Sequence, residues 1–157
     1  VAKPAARRAA RAHPRAASIL ADVWQGLPIR DAAVSRVLSV FAPRNPAEVA
    51  RVLVPGGTVV VVTPTPAHLS ELIEPLRMVG VQVDKDERLD SAMASNFTRI
   101  DRFPVEYSMS LDHAAVTDVA AMGPSAHHAA QARRERIGQL PGTVAVTASV
   151  TVTVYRR

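Results

Sequence analysis

The clearest hydrophobic pattern lies in residues 34–69, where two short apolar runs flank a segment with helical spacing. Residues 37–41 are apolar except for Ser39, and residues 59–62 are four consecutive valines. Short runs rich in β-branched residues are typical of strands buried on both faces. Between them, residues 49–53 place apolar side chains on one face of a helix. The pattern therefore predicts a strand, a short helix and a second strand.

The predicted helix carries its own start and stop signals. Asn45 is a good N-cap, Pro46 suits the first helical position, and Glu48 stands three residues after the cap. Residues 55–57, Pro-Gly-Gly, end the helix because glycine adopts a positive φ without strain. Such short strand–helix–strand connections predict a parallel pair of strands with a right-handed crossover.

The two predicted strands should deliver their following loops to one edge of the sheet. Ligand sites of parallel sheets lie beyond the carboxyl ends of the strands. Residues 41–45 follow the first strand, and residues 63–68 follow the second. We therefore expect Phe41 and His68 side by side at a functional edge.

Helices and strands also alternate along the rest of the chain. Helices are predicted over residues 3–12, 67–78, 84–94, 112–121 and 125–138, and strands over residues 17–22, 105–111 and 144–154. Alanines of the first helix would allow it to pack closely on a sheet. Pro75 should kink or end its helix. The charged helix over residues 84–94 is expected to be exposed. Trp24 is interpreted as a packing residue, with a stacking platform as the alternative.

Composition narrows the class of protein. The 157 residues are enough for one domain, and 48% are hydrophobic while only 4% are aromatic, so the core must consist of Val, Ala and Leu. The absence of cysteine excludes disulfides, thiolate catalysis and Cys-based zinc sites from this chain. There is no apolar run of about 18 residues and no signal peptide. We expect a cytoplasmic location, and the first residue, Val1, suggests a piece of a longer protein.

The charge balance favours polyanionic partners only modestly. The chain has 19 basic and 14 acidic residues, which gives a net charge of +5. Arg7 and Arg11 share a face of the first predicted helix, with Arg8 beside them. A solvated basic face is the simpler interpretation, and a phosphate-binding face is the alternative.

Several short motifs carry a resemblance to a known family. They are Phe-Ala-Pro at 41–43, Ala-Glu-Val-Ala-Arg-Val-Leu at 47–53, Pro-Gly-Gly at 55–57 and Thr-Pro-Thr-Pro-Ala-His-Leu at 63–69, with weaker blocks at 1–3, 106–109 and 122–125. Together they resemble the bacterial 23S ribosomal RNA guanine-N1 methyltransferases. Pro-Gly-Gly occurs in many methyltransferases, whereas the block that contains His68 is much more specific.

The resemblance implies a fold and an activity. The fold is α/β, with a Rossmann-like class I methyltransferase sheet that is mostly parallel, has an antiparallel C-terminal strand and lacks its N-terminal strands. Residues 1–157 would form the C-terminal two-thirds of one domain. The implied reaction is direct transfer of the S-adenosylmethionine methyl group to N1 of a guanine splayed from a 23S rRNA hairpin. A small-molecule methyltransferase and an inactive truncated module remain alternatives, and no general base is evident.

The resemblance also indicates parts that this chain lacks. Family members begin with a zinc ribbon of four cysteines, followed by a glycine-rich loop and an acidic residue for the cofactor's ribose. We therefore expect zinc only in a missing N-terminal segment. A gap is expected between residues 17–21 and 34–41, where the family's first strand would lie. We predict that residues 1–157 alone bind cofactor poorly and fold with little stability.

Individual site residues follow from these motifs. The residues expected to bind the cofactor are Asp22, Val23, Phe41, Ala42, Pro43 and His68. Asp22 would meet the adenine amine, although a turn aspartate is an equal alternative, and Phe41 could instead be a core residue.

Other residues are expected at the RNA. The candidates for RNA contact are Arg44, Ser125, His127, Arg133 and Arg134, each of which could instead be an ordinary solvated side chain. A metal site is not expected, because His127 and His128 have no supporting ligands. The expected partner is 23S ribosomal RNA rather than a membrane, and a homodimer is left open.

Overall fold

The computed structural model describes residues 3–81, 85–122 and 130–157. In these ranges the elements are α1 (Lys3–Ala9), β1 (Val34–Val40), α2 (Pro46–Val52), β2 (Leu53–Pro64), α3 (Ser70–Leu76), α4 (Lys85–Met93), β3 (Thr98–Asp112), α5 (His113–Met122), α6 (Ala130–Gly138) and β4 (Thr143–Arg156). No helix of the described ranges is long and apolar enough to cross a membrane.

The strands form one mixed sheet in the order β1-β2-β4-β3. β1 and β2 are parallel, as predicted, whereas β4 is antiparallel to both of its neighbours. The α/β class and the antiparallel C-terminal strand are therefore confirmed. Within the described ranges the parallel share is smaller than expected, because β4 lies between β2 and β3 and makes two of the three pairings antiparallel.

The central β1–α2–β2 unit forms for the predicted local reasons. The Asn45 side chain accepts a hydrogen bond from the backbone N–H of Glu48 at 3.3 Å, and the helix begins at Pro46. The Pro-Gly-Gly segment lies inside the amino-terminal part of β2 rather than in a separate turn. Gly57 suits this position because a Cβ there would lie 2.9 Å from the Val54 carbonyl oxygen.

Two hydrophobic clusters cover the sheet. The first joins α2 and α4 to β2 and includes Tyr155, while the second joins α3, α5 and α6 and includes Val146. Successive side chains of a strand point to opposite faces, and these two β4 residues are an odd number apart. The clusters therefore lie on opposite faces of the sheet. The helix predicted over residues 84–94 was expected to be exposed. This is wrong for one face of α4, because Leu89 and Met93 are buried in the first cluster.

Two other expectations are also wrong. The helix predicted over residues 3–12 ends at Ala9 as α1 and has no buried residue, so its alanines do not pack on the sheet. The strand predicted over residues 17–22 is absent, and Ile19 and Leu20 are exposed. No strand of the described ranges pairs with this segment, and an extended chain without a neighbour has no ladder of hydrogen bonds.

Most of the remaining elements agree with the sequence pattern, although β3 begins at Thr98, seven residues before the predicted strand. α3 ends one residue after Pro75, and Arg77 takes the left-handed conformation there. Asp112 caps α5 by accepting a hydrogen bond from the Ala115 N–H at 2.8 Å. The predicted 125–138 helix is present from Ala130 as α6, and its earlier residues lie outside the described ranges.

Candidate functional site

The carboxyl end of β1 turns sharply at Phe41. Phe41 has a φ of +48°, in the left-handed region that non-glycine residues rarely adopt. Its N–H donates to the Val62 carbonyl oxygen of β2 at 3.2 Å, so the strand pairing holds the backbone in this conformation. Such local strain concentrates at functional sites. Phe41 is 52% exposed, which shows that it is not a core residue.

The loop after β2 is fixed onto β4. The Thr65 hydroxyl lies 2.6 Å from the Ser149 hydroxyl, and the Leu69 N–H donates to the Thr147 carbonyl oxygen at 2.8 Å. The Ser149 N–H donates to Nδ1 of His68 at 3.2 Å. Because Nδ1 is the acceptor, the proton of the neutral ring lies on Nε2. Burial lowers the pKa of His68, which favours that neutral form.

The two loops meet as the sequence predicts. The rings of Phe41 and His68 pack edge to face, with centroids 5.4 Å apart and an interplanar angle of 62°. Parallel pairing of β1 with β2 brings their carboxyl ends to the same edge of the sheet. The predicted juxtaposition of Phe41 and His68 is therefore confirmed, while their role in cofactor binding stays a prediction.

A cleft of about 550 Å³ opens beside Phe41, between the ends of the two parallel strands and α4. Its lining residues are Phe41, Ala42, Pro43, Arg44, Pro46, Thr63, Pro64, Lys85, Arg88, Leu89, Ala92 and Met93. Among these described lining residues three are basic and none is acidic. His68 is not part of the lining and is connected to it through the Phe41 ring. The volume lies within the range of small-molecule pockets.

Asp22 and Val23 lie in a turn that is tied to this edge. The Asn45 side chain donates to the Val23 carbonyl oxygen at 3.2 Å, which places the turn beside the β1–α2 loop. The Asp22 carboxylate accepts hydrogen bonds from the Trp24 N–H at 3.0 Å and from the Gln25 side chain at 3.2 Å. Asp22 therefore acts as a turn aspartate, the alternative weighed above, although it remains exposed. Trp24 is 65% exposed, so its interpretation as a packing residue is wrong.

An ion pair between Glu48 and Arg51, which the sequence analysis did not predict, holds residues 27–31 in place. Arg51 of α2 donates to the Ile29 carbonyl oxygen at 2.8 Å and to the Asp31 carboxylate at 2.5 Å. Glu48 accepts from Arg51 at 2.5 Å and from the Leu27 N–H at 2.6 Å. These hydrogen bonds, first that from Arg51 and then that from Leu27, lower the pKa of Glu48 to about 2. Glu48 and Arg51 are three residues apart on a helix, and this spacing is the sequence signal that could have predicted the ion pair.

The candidates for RNA contact do not all lie together. Arg44 lines the cleft, and its guanidinium donates to the Ala42 carbonyl oxygen at 3.1 Å. Arg133 and Arg134 belong to α6, which packs in the second cluster on the other face of the sheet from α4. Arg133 is buried, whereas Arg134 is exposed. Ser125 and His127 lie outside the described residues, as does His128.

Three polar residues of the cleft lining, Thr63, Lys85 and Arg88, were not among the predicted site residues. Lys85 and Arg88 belong to the charged helix that was expected to be merely exposed, and their spacing puts both on one face. Thr63 is 5% exposed, and its hydroxyl has no hydrogen-bond partner within the described ranges. Within those ranges no group of three or more His, Cys, Asp and Glu residues could hold a metal ion.

Comparison with known proteins shows what this chain is similar to. The chain is 49% identical over 157 residues to the 23S rRNA (guanine(748)-N(1))-methyltransferase of Streptomyces fradiae, an alignment that covers 99% of this chain and 56% of the relative. It is 43% identical to a Micromonospora griseorubida protein named "Putative 23S rRNA (guanine-N(1)-)-methyltransferase", covering 99% and 53%. The chain is a homologue of 23S rRNA guanine-N1 methyltransferases. The predicted resemblance is thereby confirmed.

The alignment covers only part of each relative. The chain spans about half the length of the curated relatives it matches. No family model matches the chain. The activity, substrates and partners of these homologues are therefore carried to this chain only as proposals.

Solved structures agree on the fold. A "putative methyltransferase" of Bacillus halodurans C-125 matches with a TM-score of 0.59 at 12% identity, over 99% of this chain and 80% of its own. The [4+2]-cyclase SpnF matches with a TM-score of 0.52 at 17% identity, over 98% and 60%. A geranyl diphosphate methyltransferase in complex with S-adenosylmethionine matches with a TM-score of 0.50 at 15% identity, over 99% and 66%. At such low identities, these structural matches establish the class I methyltransferase fold and nothing more.

Proposed function

We propose that the protein transfers the methyl group of S-adenosylmethionine to N1 of a guanine in 23S ribosomal RNA. The observation that carries the proposal is the 49% identity, over the whole of this chain, to a protein named for that reaction. The meeting of Phe41 and His68 beside a cleft with basic walls supports it from the geometry. Methyl transfer from the cofactor to RNA needs a cofactor site and an RNA site next to each other.

The residues at the strand ends fit S-adenosylmethionine, which supplies a methyl group already activated by the sulfonium charge. Phe41 presents a half-exposed aromatic ring, and aromatic faces attract cations. The backbone of Ala42 and Pro43 and the neutral ring of His68 lie at the same edge without adding positive charge. Val23 is tied to this edge through Asn45, so the Asp22–Val23 turn is within the same region.

The cleft beside these residues suits an unpaired nucleotide. Its volume of about 550 Å³ can hold a nucleobase, and its basic walls favour a polyanion. RNA enzymes that modify a base act on a nucleotide that has left the helical stack. In this proposal Phe41, Ala42 and Pro43 separate the cofactor from the base and orient the two for transfer. Arg44 contacts the RNA at the rim.

A second candidate applies to residues 1–157 in isolation. Within the described ranges β1 pairs only with β2, and Leu38 and Val40 of β1 are 68% and 48% exposed. This exposed edge favours the alternative that the isolated chain is an inactive module of the same fold. Zinc outside residues 1–157, a homodimer and a cytoplasmic location stay predictions.

The test is methyl transfer by the natural full-length protein. It would be incubated with labelled S-adenosylmethionine and with 23S rRNA fragments, or instead with small amines and phenols. We expect label only in RNA, recovered as N1-methylguanosine after digestion to nucleosides. Label in the small molecules would support the small-molecule alternative, and label in another base or position would contradict the proposal.

A further inference from the structure

The α4 helix presents two basic side chains to the cleft. Lys85 and Arg88 are three residues apart, which places them on one helix face, and both line the cleft that Arg44 of the β1–α2 loop also lines. The acidic side chains of α4 do not line it. Asp86 instead interacts electrostatically with Arg102 of β3. The cleft therefore has basic walls on two sides.

α4 is held firmly in this position. Its Asp90 carboxylate accepts hydrogen bonds from the Tyr155 hydroxyl at 2.6 Å, from Arg102 at 2.7 Å and from Arg99 at 2.5 Å. Leu89 and Met93 are buried against the sheet on the adjacent turns. Because α4 is fixed to β3 and β4, the basic side chains at its start project from a rigid support.

The buried wall of the cleft contains an unusual polar group. Thr63 is 5% exposed, and its hydroxyl has no hydrogen-bond partner among the residues that the structure describes. Buried polar groups are nearly always hydrogen-bonded, and each exception calls for an explanation. A ligand atom in the cleft would supply the missing partner. This second observation points, independently of charge, to an occupant.

We propose that Lys85 and Arg88, with Arg44, hold an RNA phosphate next to the target nucleotide, and that the Thr63 hydroxyl hydrogen-bonds to that nucleotide. This inference rests on the proposed function and adds the residues that position its substrate. Three of the described lining residues are cationic and none of the described lining residues carries a carboxylate, which favours a phosphate. They match S-adenosylmethionine poorly, because that molecule carries a net positive charge.

The phosphate contacts can be tested through the salt dependence of binding. Fluorescence anisotropy would follow a labelled 23S rRNA hairpin bound by the natural full-length protein, by Lys85→Gln/Arg88→Gln and by Arg36→Gln. Arg36 is an exposed arginine of β1 outside the cleft, so it controls for the loss of charge itself. Each lost phosphate contact should reduce the slope of log K against log salt by about 0.7–0.9.

Because the proposal assigns them a single phosphate, we expect the double variant to lose about 0.7–0.9 from this slope and Arg36→Gln to lose little. A separate titration with S-adenosylhomocysteine should give wild-type affinity for both variants. Equal slopes for the two variants would overturn the proposal. It would also be overturned if the double variant lost affinity for S-adenosylhomocysteine instead, since the cations would then serve the cofactor.

Thr63 needs a readout of its own. Thr63→Val keeps the shape of the side chain and removes the hydroxyl, while Thr63→Ser keeps the hydroxyl. We expect Thr63→Val to lower kcat/KM for RNA methylation about tenfold and Thr63→Ser to retain most of it. Equal activity of Thr63→Val and wild type would overturn this part. If wild type bound the hairpin with the expected slope but never methylated it, the proposed function would fail while the RNA cleft would stand.

Discussion

Removing one buried hydroxyl should loosen the helix that carries the basic side chains. Tyr155 of β4 is 2% exposed, and its hydroxyl donates to the Asp90 carboxylate of α4 at 2.6 Å. Tyr155→Phe removes this hydrogen bond and leaves the ring in the core. A hydrogen bond to a charged group contributes about 1.5–3 kcal/mol. Asp90 keeps Arg99 and Arg102 and is one-third exposed, so we expect a loss near the lower limit, about 1.5 kcal/mol.

The assay is urea and thermal unfolding of the natural full-length protein. In a two-state transition of a domain of this size, 1.5 kcal/mol corresponds to a fall in Tm of about 3–6 °C. Tyr107→Phe is the matched control, because Tyr107 of β3 is 58% exposed. We expect its unfolding free energy to stay within about 0.5 kcal/mol of wild type. A double-mutant cycle with Asp90→Asn isolates the pair itself.

The pH dependence gives a second readout of the same pair. Burial, and then the hydrogen bond to Asp90, raise the pKa of Tyr155 above its ordinary value. The unfolded state therefore loses this proton first as pH rises, so the stabilisation is complete below pH 10 and declines above it. Tyr155→Phe should remove that decline. The reasoning would be refuted if Tyr155→Phe and Tyr107→Phe were equally stable at pH 7 and showed the same alkaline decline.

Three further predictions address other parts of the molecule. Phe41→Ala should weaken S-adenosylhomocysteine binding about tenfold in a calorimetric titration, since it removes the proposed aromatic contact; unchanged affinity would argue against that contact. Glu48→Gln should reduce stability at pH 6 but not at pH 2, because the depressed pKa of Glu48 stabilises the fold above pH 4.5 and is lost as pH falls towards 2; equal losses at both pH values in urea melts would contradict this. Gly57→Ala should cost about 1–3 kcal/mol because its Cβ would press on the Val54 carbonyl oxygen, whereas Gly138→Ala meets open space; comparable unfolding free energies would be the contrary result.

The β1–α2–β2 unit was predictable from sequence because its signals are local. The Asn45 cap, Pro46 at the first helical turn and the run of valines each act on their own neighbours, and all favour the same structure. Once β1 and β2 were known to be parallel, the meeting of Phe41 and His68 followed from strand direction. Agreement between local propensity and global topology makes such a segment readable.

Other parts depend on partners that the local pattern does not reveal. Residues 17–22 have the composition of a strand, but no described strand pairs with them and Ile19 remains exposed. The burial of Leu89 and Met93 depends on the sheet against which α4 packs. The cationic wall formed by Lys85 and Arg88 could not be found from sequence for the same reason. It requires α4 to lie over the ends of β1 and β2.

The most direct test of the central claim examines ribosomal RNA from cells. A bacterial strain lacking the corresponding methylation would express the natural full-length protein or its Phe41→Ala/His68→Ala variant. Primer extension on 23S rRNA would then be read, because a methyl group on guanine N1 blocks base pairing. We predict a new stop at a hairpin guanine with the wild type and a much weaker stop with the variant. A wild-type protein that is folded and binds S-adenosylhomocysteine but produces no stop would contradict the account.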